Sequence, residues 1–105
     1  MSEEKWKRVD VRLSDAADQV MRTALLGRRG VISEGIRRAI LSTNWDDIQI
    51  VKRRGMRQRF WRTSFLISLP VYENLKEFAQ KKNTDVSTLI DAIILSYYSR
   101  PHDEL

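Results

Sequence analysis

The chain has 105 residues, 42% of them hydrophobic, no cysteine and a formal net charge of +5. That length fits one compact domain or two small interlocked units. The missing cysteines exclude a disulfide framework and a thiolate zinc site, and the single histidine, His102, excludes a histidine-based metal or catalytic cluster. The basic balance, with a sequence pI near 9.9, points to a polyanionic partner.

Residues 1–7 form a polar arm, Met-Ser-Glu-Glu-Lys-Trp-Lys, without the apolar region of a signal peptide. Residues 8–14, Arg-Val-Asp-Val-Arg-Leu-Ser, place Val9, Val11 and Leu13 at every second position, the alternation of a half-buried strand. Ser14 and Asp15 offer an N-cap, with Asp18 in the first turn. Ala17, Met21, Ala24 and Leu25 then recur at helical spacing, and Gly27-Arg28-Arg29-Gly30 ends that helix. Ser33-Glu34 reads as the start of a second helix carrying Ile36, Ala39 and Ile40: the hydroxyl caps and the dipole favours the carboxylate.

Residues 45–51 suit either a helix end or an extended piece. The stretch Lys52-Arg53-Arg54-Gly55-Met56-Arg57-Gln58-Arg59 is a basic linker. The pattern then repeats. Residues 64–70, Ser-Phe-Leu-Ile-Ser-Leu-Pro, alternate through Phe65, Ile67 and Leu69, 56 positions after the first trio. A stripe of Val71, Leu75, Phe78 and Ala79 leads to the turn Lys81-Lys82-Asn83-Thr84-Asp85. Ser87 opens a last helix with Leu89, Ile90, Ile93, Ile94 and Tyr97. From the first helix onward the offset is 54, which implies two extra residues near Ser14–Ala16 in the first copy. A strand with two helices is too small to bury a core alone. Two copies in one chain bury each other's apolar faces. The expected fold is mainly α with a short antiparallel two-stranded ribbon, divided as 1–7 polar arm, 8–44 first copy, 45–62 linker, 63–99 second copy and 100–105 tail.

The alternating strand, short helix, turn and serine-started second helix, present twice over residues 8–42 and 64–99, resemble the ribbon-helix-helix family of DNA-binding proteins (the Arc, MetJ and CopG group). The second copy, from Thr63 to Phe78, is the closer match. The resemblance implies a tandem ribbon-helix-helix pseudo-dimer, similar in layout to TraY-type proteins of conjugative plasmids, whose antiparallel ribbon enters the major groove of double-stranded DNA. The strands pair either within one chain, which effective concentration favours, or with their twins in a second chain.

If Val9, Val11, Leu13 and Phe65, Ile67, Leu69 face the core, Arg8, Asp10, Arg12, Ser64, Leu66 and Ser68 point outward as candidate base readers. Arg bonds a guanine edge, Asp accepts from cytosine and Leu meets a thymine methyl. The alternatives are charges that face water, an Asp10 that holds the two arginines by ion pairing, and a Leu66 buried in a second interface. The resemblance further implies a phosphate clamp at the amide ends of the second helices, at Ser33 and Ser87; the alternative is an ordinary cap. Arg28, Arg29, Lys81 and Lys82 beside those ends, and Lys52, Arg53 and Arg54 in the linker with Arg57 and Arg59, are candidate phosphate contacts or plain solvated charge. Phe65 and Phe78 are expected in the core, Trp6, Trp45, Phe60 and Trp61 on its rim, with base stacking as the other reading of Trp61, and Tyr97 and Tyr98 packed at the end of the last helix.

No nucleophile–base set, paired carboxylates or glycine-rich phosphate loop occurs in the sequence, so neither an enzyme nor a cofactor is expected. No apolar run approaches the ~18 residues of a membrane span, and the terminal His-Asp-Glu-Leu, read without a signal region, is a coincidental match to an ER-retention string. The expectation is a cytoplasmic, sequence-specific DNA-binding repressor whose partners are DNA and further copies of itself. A relaxosome accessory protein, with a relaxase as partner, is the first alternative. An antitoxin-type interaction module is the second, disfavoured by the short tail after Tyr98.

Overall fold

A computed structural model describes residues 5–25, 32–50 and 60–99. Strand β1 (Trp6–Ser14) leads into helices α1 (Asp15–Ala24) and α2 (Ile32–Ser42). A single 3-10 turn at Trp45–Asp47 follows, and then strand β2 (Phe60–Ser68) leads into α3 (Leu69–Lys81) and α4 (Val86–Ser99). The fold is mainly helical, with one two-stranded antiparallel sheet. β1 pairs with β2 of the same chain, from Trp6↔Ser68 through Asp10↔Ser64 to Ser14↔Phe60.

A two-stranded ribbon alone is marginal in water; here its inner face supplies one wall of a core. Val9, Val11, Leu13, Phe65 and Ile67 are buried against Met21, Leu25, Ile36, Ala39, Ile40, Leu75, Ala79, Leu89, Ile90, Ile93 and Ile94. Each half contributes to that single core. α4 lies at its centre, packing on β1, α1, α2 and α3. α2 reaches α4 closely at Gly35: a Cβ there would stand 2.8 Å from Leu25 Cδ1 and 3.0 Å from the Tyr98 hydroxyl, which donates to the Gly35 carbonyl at 2.7 Å.

Local signals account for the helix limits. Ser14 Oγ accepts from the Ala17 amide at 3.2 Å, and Asp15 and Asp18 sit at the positive end of the α1 dipole. Asp18 accepts from Arg22 Nε one turn on, at 2.8 Å. Pro70 occupies the first turn of α3, where its missing N–H costs nothing. α3 stops at Asn83, which adopts a left-handed φ of 59°. The Asn83 amide bonds the Gln80 carbonyl and the Thr84 amide the Ala79 carbonyl, the pair of bonds that defines a Schellman stop.

Several expectations are corrected. The strands and helices of the two halves begin 54 positions apart throughout: Trp6/Phe60, Asp15/Leu69 and Ile32/Val86. There are no two extra residues at Ser14–Ala16. Arg8-Val-Asp-Val-Arg-Leu-Ser14 corresponds to Arg62-Thr-Ser-Phe-Leu-Ile-Ser68. Side chains alternate with period two, so a slip of two residues keeps every side chain on its face, and periodicity alone cannot choose between 54 and 56. The serine that ends each strand and precedes each helix chooses. Both strands also start earlier than expected: Trp6 and Lys7 leave the polar arm and Phe60–Arg62 leave the linker. Leu69 opens α3 instead of continuing the strand, and Ala24 is exposed. The undecided stretch around Trp45 is the 3-10 turn, capped by Asn44 Oδ1 on the Asp46 amide and anchored by Trp45, whose indole donates to the Ile40 carbonyl and meets Phe78 edge-on at 5.7 Å.

Candidate nucleic-acid interface

The outer face of the ribbon is built from cross-strand rows: Trp6 beside Ser68, Arg8 beside Leu66, Asp10 beside Ser64 and Arg12 beside Arg62. Arg8, Asp10, Arg12, Leu66 and Arg62 are exposed, and Ser64 is half-buried. Of the six outward residues expected from sequence, five share this surface. Ser68 stands at its margin, at the junction where β2 turns into α3, the position that Ser14 holds in the first half. Arg62 is the member that sequence reading missed: it was assigned to the linker, although Arg62-Thr63-Ser64 already continues the alternation toward Phe65. Leu66, 48% exposed, is apolar on a charged surface.

Arg8 reaches toward Asp10, Nε to Oδ1 at 3.9 Å, and donates from Nη2 to Ser64 Oγ across the ribbon at 3.4 Å. Both are long and solvent-facing, a geometry that contributes little to stability. Arg12 and Arg62 are directly opposed like charges, an arrangement that costs stability in a sheet.

α4 and α2 hold the two edges of the ribbon. Ser87 Oγ accepts from the Arg12 amide at 3.3 Å, and the buried Asp91 carboxylate accepts from the amide and hydroxyl of Ser14. On the other edge Arg37 Nη1 donates to the Leu66 carbonyl at 3.0 Å. Three edge backbone groups, the Arg12 and Ser14 amides and the Leu66 carbonyl, thereby find partners without a third strand. All three anchored positions are even-numbered, so the even rows are the non-hydrogen-bonded pairs, whose side chains approach most closely. The outward side chains are therefore displayed in closely spaced rows on a backbone held at Arg12, Ser14 and Leu66.

The expected helix starts shift by one residue. α2 begins at Ile32 and α4 at Val86, which puts Ser33 and Ser87 inside the first turns. Asp85 Oδ1 accepts from the Thr88 amide at 2.7 Å and is the cap of α4; Ser33 Oγ instead accepts from Arg37 Nη1 at 3.3 Å. Asp and Ser both cap well, so sequence alone did not separate Asp85 from Ser87. A carboxylate already meets the positive end of α4, so a further anion there meets like charge. Lys81 and Lys82 are exposed at the nearby end of α3, and Lys82 Nζ lies 5.5 Å from the Phe78 ring centroid.

The aromatic rim is only partly as expected. Trp45 and Phe78 pack against the core. Trp6, 54% exposed, and Phe60, 36% exposed, share the parity of the outer face and end it diagonally. Trp61 lies over the start of α1, its indole donating to Asp15 Oδ1 at 3.0 Å. Tyr97 and Tyr98 meet edge to face at 4.8 Å. Burial pushes the Tyr98 phenol pKa above its ordinary value; Tyr97 adds in the same direction and Arg38 pulls partly back.

Arg28, Arg29, Lys52, Arg53, Arg54, Arg57, Arg59 and His102 lie outside the described residues. Among the described residues no group of three or more His, Asp or Glu side chains is arranged to hold a metal ion, and no helix is long and apolar enough to cross a membrane. No family model, curated protein or solved structure matches the chain.

Proposed function

We propose that this chain is a cytoplasmic, sequence-specific double-stranded DNA-binding protein of the ribbon-helix-helix type, a tandem pseudo-dimer that presents its β1–β2 ribbon to the major groove and acts as a transcriptional repressor. One observation carries the reading: a two-stranded ribbon that buries Val9, Val11, Leu13, Phe65 and Ile67 on its inner face displays Arg8, Asp10, Arg12 and Arg62 in cross-strand rows on its outer face. A ribbon of two strands fits the major groove in width, and guanidinium and carboxylate groups are the side chains that distinguish G·C edges there. The net charge of +5 supports the sequence-independent part of the affinity, which falls steeply with salt. Lys81 and Lys82 are candidates for phosphate contacts beside the groove.

The presence of both strand-helix-helix units in one chain favours a second reading, a relaxosome accessory factor binding near a transfer origin. Capture of random genomic or plasmid fragments by the purified protein, followed by sequencing, separates the two. Enrichment at a promoter supports the repressor, and enrichment beside a nick site supports the relaxosome factor. No enrichment over shuffled DNA overturns DNA reading by this face.

A further inference from the structure

The pairing register makes the two ends of the outer face unequal. We propose that the ribbon reads its DNA with a fixed polarity, the Arg12–Arg62 end selecting guanines and the Arg8–Leu66 end selecting a guanine beside a thymine. This inference rests on the DNA-binding reading above.

The elements of the two halves begin 54 positions apart. Under that offset Arg8 corresponds to Arg62, Asp10 to Ser64 and Arg12 to Leu66, and the approximate two-fold passes through the Asp10–Ser64 row. Arg8 and Arg62 are thus equivalent residues at opposite ends of the face. Had the halves been identical, both ends would carry the same pair and the preferred site would be a palindrome. They differ because Arg12 joins Arg62 at one end, whereas Leu66 joins Arg8 at the other.

Chemistry follows from that exchange. Two guanidinium groups in one row offer donor pairs that match the O6 and N7 acceptors of guanines. At the other end, a single guanidinium beside an exposed leucine fits one guanine acceptor pair next to a thymine methyl. Asp10 in the central row accepts from a cytosine amino group. The two outer rows are four residues apart, about 14 Å at about 3.4 Å per residue. That distance spans about four base-pair steps at about 3.4 Å each.

The test is selection of bound sequences from a fully randomised duplex library, with the intact chain and with single variants. The expected consensus is non-palindromic. Arg12→Ala and Arg62→Ala should each weaken the selected site roughly 5- to 150-fold and relax the same end of the consensus. Arg8→Ala should relax the opposite end. Leu66→Arg gives both outer rows an arginine pair, and the outer positions of its consensus should become symmetric about the Asp10–Ser64 row and richer in G·C. A palindromic consensus from the unaltered chain overturns the polarity while leaving DNA binding intact. Arg12→Ala and Arg62→Ala relaxing opposite ends, or weakening all sequences equally, does the same. No enrichment by a folded chain, checked by its circular dichroism, overturns the DNA-binding reading itself.

Discussion

Helices α2 and α4 occupy equivalent places in the two halves, yet they are built on different plans. α4 buries every residue from Thr88 to Ile94, whereas α2 buries only the stripe Gly35, Ile36, Ala39 and Ile40 and leaves Leu41 65% exposed. The differences sit at matched positions. Leu89 stands where α2 has Gly35, and Ile93 where α2 has Ala39, so the large side chains are on the central helix and the small ones on the helix that approaches it. The ribbon anchors differ in sign as well: Asp91 accepts from β1, whereas Arg37, its counterpart, donates to β2. Two halves joined in one chain need not serve each other identically. One helix becomes the centre of the core and the other a partly solvated flank.

The strongest way to break this comparison is to truncate both helices. Ile93→Ala, at a fully buried site, should cost about 2–5 kcal/mol of unfolding free energy, and Leu41→Ala should stay within about 0.5 kcal/mol. Chemical denaturation reads both, and equal losses would mean that α4 is not the centre. A smaller contrast is expected at the anchors. Asp91→Ala strands a buried Ser14 amide and should cost about 1–3 kcal/mol, with faster hydrogen exchange at that amide. Arg37→Ala, which removes a solvent-exposed bond to the Leu66 carbonyl, should cost under about 1 kcal/mol; a larger loss than for Asp91→Ala would reverse the assignment of roles. The smallest effect concerns the joint between the helices. Because burial raises the Tyr98 pKa, the folded state holds that proton more tightly than the unfolded chain. The associated stability is complete below the ordinary tyrosine pKa of about 10 and is lost as pH rises beyond it. Urea midpoints measured at about pH 9 and about pH 11 should fall, and Tyr98→Phe should flatten that fall.

Much of this architecture was legible in the sequence. Val9, Val11, Leu13, Phe65 and Ile67 alternate as they are buried, and of the helical stripes Ala17, Met21, Leu25, Ile36, Ala39, Ile40, Leu89, Ile90, Ile93 and Ile94 are buried, whereas Ala24 is exposed and Tyr97 half-buried. What escaped did so for identifiable reasons. The period of two hid the offset at the strand–helix joint, and with it the correspondence of Arg62 to Arg8. Lys and Arg dominate residues 52–59, so the start of β2 looked like more linker. Asp91 lies within an apolar stretch of α4, but nothing local announces that a carboxylate there accepts from Ser14, 77 positions away. The exposed face of the ribbon was readable because alternation defines two faces; its rows were not, because they depend on a register between distant segments.

That register also bears on how the protein comes into being. Arg8 and Ser64, neighbours across the ribbon, are 56 positions apart in the chain, and the bonds that brace β1 come from Ser87 and Asp91. Loops this long cost closure entropy before any contact offsets it, and folding dominated by distant pairings is slow. During synthesis β1 has no partner strand until Phe60–Ser68 has been made and no brace until α4 follows. The face that displays Arg8, Arg12 and Arg62 therefore needs residues through Ser68 for its two strands and through Asp91 for the brace on β1.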